Sequence, residues 1–257
     1  MMLVGPSHID LNEQAYRRRR VVDGYQKKSR SGLFAAERYC LDLLPSSRRG
    51  SILDIGIGGG RTTGPLSDMF AHYVGIDYSP EMIDAARLEY PDKDLQVMDA
   101  RRLQFDMQFD CVMFSHNGID YTTYEDRQLV LKQIASLLRQ RGFFIYSTHN
   151  LGFPGARIYF SNFFVKQMFR TWRSPIFGMP NRIRNFWKQT IDEARGIAYI
   201  NDNAHAFSLL HVYVDIAKEL ENLRCIGFSN TTTFGIMKDS AVYDADDEWV
   251  YIAAQKP

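Results

Sequence analysis

Seven residues, Asp54-Ile55-Gly56-Ile57-Gly58-Gly59-Gly60, end an apolar run and lead into Arg61-Thr62-Thr63, a helix entry. Glycines at 56, 58 and 60 let a ligand approach the main chain where side chains would stand in the way. A dinucleotide fingerprint reads G-x-G-x-x-G, but the sixth position counted from Gly56 is Arg61. Three carboxylates keep step with this loop. Asp54 stands two residues before the first glycine, Asp77 comes 23 residues later, and Asp99 another 22. Asp77 can take both hydroxyls of a ribose in a bidentate contact, and Asp99 can accept a hydrogen bond from an adenine amino group. Asp54 suits a cationic amino-acid moiety, met through water or backbone.

The elements that must position these groups alternate along the chain. Strand-type runs read SILDI (51–55), YVGID (73–77), LQVM (95–98), FDCVMFS (109–115) and GFFIYST (142–148). Helical spacing lies between them. Ser79 caps a helix that opens with Pro80, and another runs from about Glu125 to Arg139, with Gly142 suited to end it. Strand, helix, strand at this spacing predicts right-handed crossovers and a parallel sheet, with the acids at strand carboxyl ends where open α/β sheets bind ligands. Arg224–Asn230 and Glu248–Gln255 read as two closing strands. Residues 1–50 read as a helical extension whose basic face is Arg17–Arg20 and Lys27-Lys28. Residues 149–222 interrupt the sheet as an inserted cap or lid, in which 198–200 and 210–214 flank an Asn-Asp-Asn turn and predict a hairpin.

The glycine loop and its acids resemble motifs I, II and III of class I S-adenosylmethionine methyltransferases, over roughly residues 50–148. That resemblance implies a Rossmann-like, mostly parallel seven-stranded sheet with helices on both faces and its last strand antiparallel, in one domain over 1–257. It implies S-adenosylmethionine as cofactor, held by Asp54, Gly56, Gly58, Gly60, Asp77, Tyr78, Met82, Asp99, Ala100, Ser115 and Asn117. FSHNGIDY (114–121) and IYSTHN (145–150) are similar to small-molecule methyltransferases of glycan and natural-product biosynthesis. The chain lacks the acidic-or-Asn, Pro-Pro, aromatic pattern of enzymes that methylate exocyclic amines of nucleobases. It also lacks the Pro-Cys pair of the covalent route to pyrimidine carbon-5. Transfer to a sugar hydroxyl benefits from a general base. His149 is the preferred one, followed by His205, with His116 the third; His8, His72 and His211 are left unassigned. Asp202, Asn203 and His205 have too nonspecific a spacing to define a metal centre, so no metal is assigned.

Between Asp126 and Asp192 the sequence has no Asp or Glu but eleven Lys or Arg: Arg127, Lys132, Arg139, Arg141, Arg157, Lys166, Arg170, Arg173, Arg182, Arg184 and Lys188. Its second half is also rich in aromatics. Such a field attracts anions, which predicts an acidic or phosphorylated small-molecule acceptor. The same composition also suits weak contact with a membrane surface, or RNA, although no RNA-binding module accompanies the sheet and no stable nucleic-acid partner is expected. An RNA methyltransferase and a non-catalytic methyltransferase-like subunit are the rival readings. Overall composition is ordinary: 45% apolar, 24% charged, net charge +1. Three scattered cysteines, no signal-peptide pattern and no long apolar run predict a cytoplasmic protein.

Overall fold

The computed structural model describes residues 24–25, 29–156, 181, 184–185, 187–202, 207–235 and 243–257. The expected basic face at Arg17–Arg20 and Lys27-Lys28 lies outside them, as do most of the basic aromatic stretch and His205.

Five parallel strands form the centre of the sheet: β1 (Ser51–Ile55), β2 (His72–Asp77), β3 (Asp94–Val97), β4 (Phe109–Phe114) and β5 (Leu138–Asn150), in the order β3-β2-β1-β4-β5. Every residue of β1 and β4 is buried, as strands covered on both faces must be. Alternate side chains of β1 divide between two cores. Leu53 and Ile55 join Val130, Leu131 and Ile134 of helix α4 (Tyr124–Leu137) and Leu223 of helix α5 (Ile216–Ile226). Ile52 faces the other layer, with Ala36 and Cys40 of α1 (Ala35–Asp42), Leu66 of α2 (Thr63–Met69) and Ile83 and Ala86 of α3 (Pro80–Glu89). The sheet closes with β9 (Asn230–Gly235) and β10 (Trp249–Gln255). β10 runs antiparallel to both β5 and β9. This seven-stranded, mostly parallel body is the Rossmann-like arrangement.

The sheet is wider than seven strands. The insertion adds β6 (Thr190–Asp192), β7 (Ile197–Ile200) and β8 (His211–Val214), giving ten. β7 and β8 form an antiparallel pair, and β8 then lies parallel to the end of β5, His149 against Tyr213 and Asn150 against Val214. β10 occupies one edge of β5, while β4 pairs with the other only as far as Tyr146. β5 therefore overhangs β4, and the insertion attaches to the overhang. Residues 149 and 150 belong to the strand rather than to the insertion, and from Ile216 the chain is back in the body.

Two local expectations are corrected. Helix α4 does not end at Gly142, because β5 begins at Leu138, where the chain is already extended. The left-handed residue nearby is Arg141, at φ 62°, where β4 and β5 slip register between Phe109 and Cys111. Residues 224–226 are helix, not strand. Asp215 caps α5 by accepting from the Lys218 N–H, and Gly227 at φ +116° ends it, with the Phe228 N–H returning to the Leu223 carbonyl. In the described part of the N-terminal fifty, residues 24–25 and α1 are helical, with two single 3-10 turns at Ser29–Ser31 and Ser46–Arg48.

Candidate active site

A cleft of about 880 Å³ opens at the carboxyl ends of β1, β2 and β4. Gly56 and Gly58 form its floor at φ 71° and 53°, backbone that side-chain-bearing residues rarely adopt. A Cβ on Gly56 would come within 3.0 Å of the Phe114 ring. Gly58 also serves Asp77, since its N–H donates to Asp77 Oδ2 (2.9 Å) while the Ser79 N–H donates to Oδ1 (2.9 Å). Burial raises the Asp77 pKa to about 6 against the opposing pull of these two bonds. Each oxygen keeps acceptor capacity for a ligand hydroxyl.

Asp54 sits deeper, in a recess that it shares with Gly56, Gly58, Arg61, Thr62 and Ser115. The Thr62 and Tyr73 hydroxyls both donate to its Oδ2, at 2.6 and 2.9 Å. Burial nevertheless pushes its pKa up to about 7. Asp99 stands in the cleft wall with Arg101 clamped across it (Nη2 to Oδ2, 2.5 Å). Burial acts to raise its pKa, but the guanidinium outweighs it and the net shift is downward. Of the other residues assigned to the cofactor, Tyr78, Met82, Ala100 and Ser115 line the cleft. Gly60 and Asn117 do not. Gly60, at φ +89°, packs under the Tyr90 ring, and Asn117 turns back toward His149.

The recess has a wall that sequence reasoning passed over. Arg61 makes two bonds to Glu37, Nη2 to Oε1 (2.6 Å) and Nη1 to Oε2 (2.8 Å), and a third from Nη2 to Ser115 Oγ (3.1 Å). Its guanidinium carbon lies 4.1 Å from the centre of the Phe34 ring. Glu37, fully buried, also accepts from the Tyr251 hydroxyl (3.0 Å) and from Ser115. In the sequence Arg61 stands out as a helix entry and as the glycine that is missing, not as a partner of Glu37. Glu37 and Tyr251 carry no local signal, because they come from opposite ends of the chain.

The histidines fall into different layers. His116 lines the cleft, at φ 54°, with Asn117 following at φ 58°. Two consecutive left-handed non-glycine residues are costly. The turn is held by the Asn117 N–H donating to Ser147 Oγ (2.7 Å), and the His116 ring packs edge-on to Trp249 at 5.1 Å. His149 lies behind the cleft wall. Its Nδ1 is 2.8 Å from Asp120 Oδ2 and its Nε2 is 3.3 Å from the Asn117 amide nitrogen. Burial lowers its pKa, but the bond and charge of Asp120 outweigh this and leave it raised. Asp120 Oδ1 accepts from Arg127, which is fully buried and also bonded to Glu219 (Nη2 to Oε1, 2.7 Å). Arg127 from the acid-free stretch is thus a structural ion-pair member, and Arg139 likewise pairs with Asp110 (3.0 Å).

Residues 52–142 match a family described as a methyltransferase domain. A viral protein named as a methyltransferase, 235L of Invertebrate iridescent virus 6, is 31% identical over 94 residues, which are 36% of this chain and 35% of that one. The matched stretch is thus about a third of either protein. Among solved structures, the TehB-like S-adenosylmethionine-dependent methyltransferase of Corynebacterium glutamicum superposes with a TM-score of 0.58 at 16% identity, covering 93% of this chain and all of that one. An S-adenosylmethionine-dependent methyltransferase of Clostridium acetobutylicum gives 0.59 at 14% identity, over 95% and 98%. The N-methyltransferase NodS of Bradyrhizobium japonicum, solved with S-adenosyl-L-homocysteine, gives 0.51 at 13%, over 86% of each. At these identities the structures speak to the fold. With the sequence match they bear on the class: residues 52–142 are similar to a methyltransferase domain, and the chain has the fold of S-adenosylmethionine-dependent methyltransferases. The open glycine floor and the acceptor oxygens of Asp77 fit the S-adenosylmethionine that these relatives use.

Proposed function

We propose that this chain transfers a methyl group from S-adenosylmethionine to an oxygen of a small-molecule acceptor, a sugar or an acidic or phosphorylated compound. The observation that carries this reading is the continuity of the cleft. It runs from Gly56, Gly58 and Asp77 to Ser115, His116, Tyr121 and Thr122, a concave site of the kind that small molecules occupy. Three of the last four side chains are hydroxyls and the fourth is an imidazole, a wall suited to a hydroxylated acceptor. The preference for an anion rests on basic residues mostly outside the described part, since Arg127 and Arg139 are committed to ion pairs.

S-adenosylmethionine supplies an electrophilic methyl carbon on a sulfonium centre. The protein's part is to align the acceptor oxygen with that carbon and to take its proton. Asp77 holds the ribose, the glycine floor lets the main chain approach, and Asp54 offers negative charge toward the amino-acid end. Of the three histidines proposed as base, His116 has the support of facing the cleft. His149 is better supported as a buried residue behind the wall, bonded to Asp120, while Ser147 holds the turn that presents His116. Replacing His116 with Ala is expected to lower kcat by roughly 10²–10⁴, with cofactor affinity nearly unchanged. A normal single-turnover rate would remove it from this role.

The reading is tested by offering the purified chain methyl-labelled S-adenosylmethionine with sugars, nucleotide-linked sugars, amines and RNA. Label recovered in a methyl ether supports it. Label only in an amine or in RNA, or in no acceptor while cofactor binds, overturns it.

A further inference from the structure

We infer that His149, Asp202 and His211 form a site for one divalent transition-metal ion, zinc foremost, at the junction between β5 and the inserted hairpin. The inference does not depend on which acceptor is methylated. His149 comes from the end of β5, Asp202 follows β7 and His211 begins β8. One ligand-type atom from each lies within 4.8 Å of the others, and all three side chains are buried. Two imidazoles and a carboxylate form a ligand set that zinc accepts, with a fourth position for water.

Three further observations point to an ion. First, His211 Nε2 is buried and has no hydrogen-bond partner among the described residues, while Nδ1 is bonded to Asp202 Oδ2. Orphaned buried nitrogens are uncommon and call for an explanation. Second, His149 Nδ1 is held by Asp120, the carboxylate–histidine arrangement that orients a metal-binding imidazole from behind and leaves Nε2 as the ligand. Third, the surrounding charge is unbalanced. Asp120, Glu219 and Asp202 are buried carboxylates, and Arg127, paired with the first two, is the guanidinium among them. With neutral histidines the described groups of the cluster retain two negative charges, which a divalent cation cancels.

Binding requires a small rearrangement. The His149 and His211 rings are nearly parallel, at 9° with centroids 5.1 Å apart, so they do not yet aim at one point. His211 is the ring that must turn, because its bond to Asp202 is the one that shared coordination replaces. His149 in turn gives up its contact with Asn117. The ion then fastens the hairpin to β5, behind Tyr121, whose ring stands edge-on to His211 at 4.6 Å and lines the cleft.

The test uses the full chain, stripped with a chelator and titrated with zinc and, separately, cobalt(II). Expected are about one zinc per chain, a higher Tm, and visible d–d absorption with cobalt. Asp202→Asn and His211→Gln, which preserve size, should each weaken zinc binding roughly tenfold or more, with circular dichroism and S-adenosylmethionine affinity unchanged. A wild-type chain that takes up neither metal overturns the inference. So does zinc binding that both folded variants retain in full.

Discussion

Asp54 and Asp77 are both carboxylates at strand ends beside the glycine loop, yet their surroundings assign them different work. Asp77 is tied by two backbone N–H groups and faces the cleft. Asp77→Ala is expected to weaken S-adenosylmethionine binding roughly 10- to 100-fold in calorimetry, the worth of hydrogen bonds to a charged group. Because its pKa lies near 6, wild-type affinity should also fall as pH drops through that value and an acceptor oxygen becomes protonated. Asp54 is bonded by two hydroxyls, with a pKa of about 7. Its folded pKa exceeds its unfolded value, so ionisation costs stability. The cost is absent below about pH 4, grows between the two values and levels off above about 7. Asp54→Asn should therefore stabilise the cofactor-free chain by about 2–4 kcal/mol at pH 8, with the gain vanishing toward pH 4 in urea titrations. The spacing of these acids was legible from local sequence. The difference between them was not, since Tyr73, Thr62 and the Gly58 N–H do their work through tertiary placement.

At the scale of elements, the buried Asp120–Arg127–Glu219 cluster joins the turn after β4, helix α4, strand β5 and helix α5. Arg127→Ala leaves two carboxylates buried without their cation and is expected to cost about 3–5 kcal/mol of unfolding free energy. A loss below about 1 kcal/mol, the range of an exposed pair, would show that solvent reaches the cluster. This arrangement also explains why an acid-free stretch is a poor guide to a basic surface. The partners of Arg127 lie on either side of that stretch in sequence and meet it only in the fold. Element type was readable where a cap and periodicity agreed, as at Ser79-Pro80. It was misread at 224–226, where Cys225 and Ile226 suggest a strand, although Asp215 and Gly227 already mark both ends of a helix. Gly142 misled for the opposite reason, because Arg141 takes the left-handed position that a glycine usually fills.

At the scale of the molecule, the donor side is assembled from β1, β2 and β4, close to one another in sequence, and so was largely visible before folding. The insertion's place in the sheet was not visible, because it depends on a parallel pairing between His149-Asn150 and Tyr213-Val214, which no local pattern announces. The described residues contain no helix long and apolar enough to cross a membrane. Since the cleft belongs to the folded state alone, S-adenosylmethionine at 100 times its Kd should stabilise the chain by about 2.7 kcal/mol, read as a rise in Tm. NAD should produce no rise, and an equal response to both would count against the assigned cofactor.

The overhang of β5 past β4 carries an evolutionary consequence. A seam of only two paired residues joins the hairpin to a body that supplies every described side chain lining the cleft. Changes within Ile197–Val214 alter what stands behind Tyr121 without disturbing the glycine floor or Asp77. Such a joint lets the hairpin vary in sequence while the described lining of the cleft stays as it is.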